Sequence, residues 1–230
     1  MPDVTYIGFA IIVVSAGVVR LVALVRGALR DGRNARLVHG AARVPIASAG
    51  EGQATCVVGH IGGELPLVAP FTGRRCVYWA VELEEYVGNA FETWKNCGRE
   101  DSARGTFTIA DASGRALIDS AGAEIVIDRD AGVRVRPIGD HDPAARAWLK
   151  SRGLAEKALF LKRKYRFVES ALTADDPVAV VGLGVHEPDP DAASVVRGYR
   201  DGPPTRLHLA STAAHRLFIT DAPTATGGRP

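Results

Sequence analysis

The sequence predicts a mainly β domain of the α+β type, carried behind one N-terminal transmembrane helix. Three observations predict it. Residues 6–25 form an apolar stretch about as long as a bilayer core asks of a helix, roughly 20 residues. Residues 75–86, RCVYWAVELEEY, alternate with a period of two, as a strand with one apolar and one more polar face does. Around that strand lie short β-like segments at regular intervals, and only one segment carries a helix start signal.

Composition sets the outer limits. The 230 residues are 47% hydrophobic and 23% charged, which suits a packed domain and argues against a disordered chain. A formal net charge of +2 is too small to imply a nucleic-acid partner. Cys56, Cys76 and Cys97 are odd in number and show no CxxC spacing. They read as buried or free thiols in a reducing compartment and cannot build a multi-zinc module. No metal or cofactor is expected.

The N-terminal element comes first. Residues 6–19, YIGFAIIVVSAGVV, carry no charge; Arg20 interrupts, residues 21–25 are apolar again, and Arg26 follows. An arginine near the end of a span can send its guanidinium to the headgroups along its flexible stem. The only charged side chain ahead of the run is Asp3, and arginines stand where a small-residue cleavage site would be, which argues against a cleaved signal peptide. A buried helix of a soluble domain is the other alternative, because the uncharged part is short. Arg20, Arg26, Arg30, Arg33, Arg36 and Arg43 all lie C-terminal to that part, so the positive-inside rule predicts a single pass with the domain in the cytoplasm. Arg20, Arg26, Arg30, Arg33 and Arg36 are the expected lipid-proximal residues, and the bilayer is the expected partner.

The expected organisation is an anchor over residues 1–30, a basic juxtamembrane linker over 31–53, a β-rich domain over 54–222 and a flexible tail over 223–230. Strands are expected at 54–62, 66–70, 75–86, 105–111, 115–119, 123–128 and 133–137, a series that looks like a β-meander. Asp142 and Pro143 open one short helix, as N-cap and first helical residue, which Gly153 closes. Strands at 164–172 and 178–185, joined by the turn 173–177, follow, with two short final strands at 206–209 and 217–220.

Several of these pieces together resemble the GIDE domain, the β-rich "beside a membrane" domain of the mitochondrial membrane-anchored ubiquitin ligases and their bacterial relatives. The carrying residues begin with Pro66-Leu67-Val68-Ala69-Pro70, Thr72-Gly73, Cys76-Val77-Tyr78-Trp79 and Val81-Glu82-Leu83-Glu84-Glu85. An F-x-I-x-D-x-x-G piece follows at Phe107, Ile109, Asp111 and Gly114, with Ala123 downstream. Tyr165, Glu169, Asp176 and Val180-Val181-Gly182 complete it. The resemblance covers most of residues 54–185 and implies a membrane-proximal β-rich domain. The eukaryotic ligases end in a second membrane helix and a zinc-binding RING, which needs a close series of Cys and His ligands. Nothing of that kind follows Val185, so ligase activity is not implied.

No catalytic motif stands out. Glu82, Glu84 and Glu85 suggest paired carboxylates for acid–base work, but a solvated strand face is the expected explanation. The resemblance singles out Glu84 and Glu169 as the first polar site to inspect. Asp140-His141-Asp142 could donate metal ligands, although Asp142 is better explained as the helix N-cap. GLGVHEP, residues 182–188, holds a G-x-G without the rest of a dinucleotide fingerprint, and there is no P-loop or G-x-S-x-G. Lys157, Lys162, Arg163, Lys164 and Arg166 form a basic cluster that could meet anionic lipid or protect a strand edge. The expected function is a membrane-tethered, non-enzymatic interaction or sensing domain with a protein partner at the membrane. The alternative is a membrane-bound hydrolase using Glu84 with Glu169 or His141.

Overall fold

The computed structural model describes residues 40–87, 94–127, 133–134, 143–151, 165–190 and 204–227. Strands dominate it. They are β1 (Ala42–Arg43), β2 (Ala54–Gly62), β3 (Leu67–Val68), β4 (Arg75–Cys76), β5 (Tyr78–Tyr86), β6 (Trp94–Ala103), β7 (Thr106–Ala110), β8 (Arg115–Asp119), β9 (Glu124–Val126) and β10 (Val133–Arg134). Helix α1 (Pro143–Ser151) separates these from β11 (Tyr165–Leu172), β12 (Pro177–Pro188), β13 (Thr205–Ala210) and β14 (Phe218–Thr220), and α2 (Pro223–Thr226) comes last. The mainly β class expected from the sequence is what the chain adopts. Among the described residues no helix is long and apolar enough to cross a membrane; the span expected at residues 6–25 lies outside them.

Five strands close on themselves. β2 pairs antiparallel with β7, β7 with β8, β8 runs parallel to β13, and β13 pairs antiparallel with β12, which returns to β2. β12 closes the ring because it is long: residues 177–183 face β2 and residues 184–188 face β13. Val57, Ile61, Ile109, Ile118, Val180 and Leu209 fill the interior, each at most 1% exposed. Closure removes edges that would otherwise invite a foreign strand.

A second, four-stranded antiparallel sheet runs in the order β10, β11, β5, β6. One face of β5 gives Tyr78 and Ala80 to the barrel core, where Leu172 joins them. The other face gives Val81 and Leu83, which pack with Phe167 and with Ala145 of α1. Both faces of β5 are covered: Tyr78, Ala80 and Glu84, on the face expected to be more polar and solvated, are buried. Phe71 stacks on Phe167 at 4.7 Å between ring centroids, and Trp148 meets Phe167 edge-on at 5.1 Å.

Four features differ from the expectation. The chain does not form a meander: β5 and β6 belong to one sheet, β7 and β8 to the other, and three strand pairs are parallel. Residues 75–86 break at Val77, whose N–H bonds to Leu172 O at 2.9 Å as the strand passes between sheets. Within the expected linker, β1 pairs with β2. In the expected tail, α2 buries Ala225, and Arg43 Nη2 donates to Thr226 O at 3.0 Å. Contacts with β2 and β12 supply order that local composition does not signal.

Candidate functional site

Glu84 and Glu169 lie on opposite faces of the four-stranded sheet. Glu169 pairs with Val81 across the β11–β5 ladder, and Arg166 pairs with Glu84. Directly opposed residues share a face, and successive residues alternate. Glu169 therefore shares the α1 side with Val81 and Phe167. Glu84 shares the other face with Ala80 and Glu82.

Each carboxylate is buried and engaged. Glu169 is 0% exposed. Its Oε2 accepts the N–H of Phe71 at 2.7 Å, and its Oε1 accepts the N–H of Thr72 at 3.1 Å and the Thr72 hydroxyl. The turn is tight because Gly73 has a positive φ of 67°, and its N–H returns to Ala69 O at 2.9 Å. Glu169 thus ties the β3–β4 hairpin turn to β11. A buried carboxylate is tolerable only when donors replace its water.

Glu84, 4% exposed, accepts from Arg166 Nε at 2.5 Å. The same guanidinium lies 4.3 Å from the centroid of Trp94, and Trp94 meets Tyr86 edge-on at 5.4 Å. Of the basic cluster at residues 157–166, Arg166 is the described member, and its charge is directed inward to Glu84 and Trp94. Further along that face Arg99 donates to the Tyr78 hydroxyl at 2.8 Å, and Tyr78 donates to Asp101 at 3.0 Å. Burial, opposed by Arg99 and reinforced by Asp101, pushes the Tyr78 phenol up to about 12.

The Phe107, Ile109, Asp111 and Gly114 piece also resolves into structure. Phe107 and Ile109 point into the barrel core. Asp111 Oδ1 accepts N–H groups from Ser113 at 2.7 Å and Gly114 at 2.9 Å, and its Oδ2 accepts the Ile46 N–H at 2.9 Å. Burial pushes its carboxyl up, but the bonds from Ser113, Ile46 and Gly114 outweigh that and hold it below its ordinary value. The G-x-G at Gly182 and Gly184 has a packing cause. A Cβ at Gly182 would sit 2.1 Å from Leu217 Cδ2, and one at Gly184 would sit 2.6 Å from Leu207 Cδ1.

One cluster was not legible in the sequence. Arg206 Nη2 lies 2.7 Å from Glu187 Oε1, and His208 Nδ1 lies 3.1 Å from Glu187 Oε2. His208 Nε2 is buried with no hydrogen-bond partner among the described residues. The spacing of Arg206 and His208 puts them on one strand face, but only the β12–β13 register brings Glu187 to them. The other ring contacts are to backbone oxygens, Asp175 O for His60 and Ala49 O for His186. Residues 140–142 and the lipid-proximal arginines at 20–36 lie outside the described residues. Among the described residues, no group of three or more His, Cys, Asp or Glu side chains could hold a metal ion.

Burial pushes up the thiols of Cys56, Cys76 and Cys97; Glu169 adds to the effect at Cys76, and Glu85 at Cys97. Raised thiols are poor nucleophiles. No family model, curated protein or solved structure matches the chain.

Proposed function

We propose that this chain is a membrane-tethered, non-enzymatic interaction domain of GIDE type, held on the cytoplasmic face of the cell membrane. The observation that carries the reading is the separation of Glu84 and Glu169. A hydrolase built on both would need them to converge on one substrate. They lie on opposite faces, and each accepts hydrogen bonds from the fold's own donors. The residues that carry the family resemblance support the same reading. Thr72 bonds Glu169, and Asp111 bonds Gly114, so the motif positions are fold-making contacts.

The tether is the apolar run at residues 6–25 with its arginine flank. Confinement to a bilayer raises the effective concentration of partners in the same membrane, so a modest interface suffices for function. Crosslinking and pull-down from membranes, with the full chain and with a chain lacking residues 1–30, tests the reading. The expected result is a partner set recovered only with the full chain. Equal recovery from both chains, or a hydrolytic activity abolished by Glu84→Gln, contradicts it.

A further inference from the structure

The β3–β4 hairpin carries an apolar face that the fold leaves open. Pro66, Val68 and Pro70 are exposed, whereas Ala69 and Cys76 are buried and Leu67 is half-buried. The inward set packs with Ala171 and Trp79, so the alternation of the hairpin is satisfied on that side. On the outward side Val68 is 56% exposed, the most open of the large apolar side chains among the described residues. One exposed valine is ordinary. Three exposed apolar residues at alternate positions of one short segment form a patch.

Charge of one sign borders the patch. Residues 65–75, LPLVAPFTGRR, hold two arginines and no acidic residue. The hairpin register sets Arg75 directly opposite Val68, so the two share the outward face. Arg74 is half-buried and donates from Nε to the Thr72 hydroxyl at 3.3 Å, which leaves Arg75 as the outward charge. Elsewhere Arg99, Arg104, Arg115, Arg166 and Arg206 each meet a carboxylate. Arg75 is exposed and meets none among the described residues.

The hairpin is also preformed. The Glu169 carboxylate accepts the N–H groups of Phe71 and Thr72, the Ala69 N–H bonds to Arg74 O at 2.9 Å, and each proline fixes its own φ. A surface already held in shape loses little entropy on contact.

These features favour lipid over protein. Protein interfaces centre on large anchors, usually Trp, Tyr or Arg filling a pocket. Val68 and two prolines make a shallow surface with no such anchor. An apolar surface edged by arginine and free of acid fits the boundary of an anionic bilayer, where apolar groups enter below the headgroups and a guanidinium meets phosphate. Such a contact is weak alone, but a tether supplies the effective concentration that makes it sufficient.

We propose that the outward face of the β3–β4 hairpin, formed by Pro66, Val68, Pro70 and Arg75, is a contact surface for an anionic bilayer and orients the tethered domain on it. The inference rests on the membrane reading above and names the surface by which the domain meets lipid.

The test uses the full chain in vesicles of phosphatidylcholine, with or without phosphatidylserine. Cys97→Ser removes the exposed native thiol, Cys56 and Cys76 are buried, and Val68→Cys then places an accessible thiol on the hairpin. A dye attached there should be shielded from acrylamide, a neutral quencher, in phosphatidylserine vesicles and open in phosphatidylcholine ones. Arg75→Gln should lower the shielded population about fivefold, and Arg75→Lys should keep it. Added salt should open the dye in the chain that retains Arg75, a readout that no folding defect at position 75 can mimic. A dye quenched equally in both vesicles overturns the proposal. So does shielding that persists in phosphatidylcholine vesicles or in detergent, which marks a protein surface over the hairpin, or shielding indifferent to both salt and Arg75→Gln. Flotation is scored separately. A chain that does not float ends the membrane reading and the hairpin proposal together, whereas a floating chain with an open dye ends the hairpin proposal alone.

Discussion

Glu169 on β11 accepts the backbone N–H of Phe71 at 2.7 Å across a separation of 98 residues. The bond fixes a surface turn to the middle of a sheet strand. It also explains why a carboxylate at 0% exposure is tolerated without a basic partner at bonding distance among the described residues.

Glu169→Gln tests that role. Whichever oxygen becomes the amide nitrogen, an NH2 then faces a backbone N–H of the 70–73 turn. The expected cost is about 2–3 kcal/mol, or a fall in Tm of roughly 5–10 °C. Thermal unfolding followed by circular dichroism measures it. A melt unchanged from the wild type would show that the turn is held by other contacts.

Asp111 links stability to acid. Its carboxyl is held below its ordinary value of 3.8 in the fold, so the native state binds fewer protons than the unfolded chain in that range. The stabilisation is therefore present above pH 3.8 and fades as pH falls through the lowered native value. Asp111→Asn removes the charge and turns an NH2 toward Ile46 or Ser113. Melts of the two proteins should differ by a few degrees near neutrality and converge in acid. A gap that widens in acid would contradict the hydrogen-bond account.

Tyr78 produces the opposite limb. Its phenol is raised from 10.0 to about 12, so the native state keeps a proton that the unfolded chain gives up first. That contribution is complete below pH 10 and is lost as pH rises toward 12. Tyr78→Phe should flatten the alkaline fall in stability over that interval. Phenolate absorbance should show one tyrosine titrating near 12, absent from the Phe variant. A Phe variant with an unchanged alkaline limb would assign the slope elsewhere.

The strands with the plainest patterns were legible. Residues 54–62 and 115–119 have strand bounds that match the expectation, because each carries buried side chains flanked by turn residues. β6 was not. WKNCGREDSA has four charges and no apolar alternation, and it is a strand because β5 offers it a full ladder. The barrel closure was illegible for a related reason. It depends on β12 serving two partners along one length, and no local signal records that. Glu84 and Glu169 were singled out from the resemblance as a candidate polar site; both are buried, and their roles follow from the ladder parity that separates them. The Arg206, Glu187 and His208 cluster needs the same cross-strand register and so escaped a linear reading.

The tether is tested most directly by flotation of membranes carrying the full chain, followed by alkaline carbonate extraction. A chain anchored through residues 6–25 floats with the bilayer and stays in the pellet after carbonate, and removal of residues 1–30 releases it. A full chain recovered in the carbonate supernatant would contradict the account.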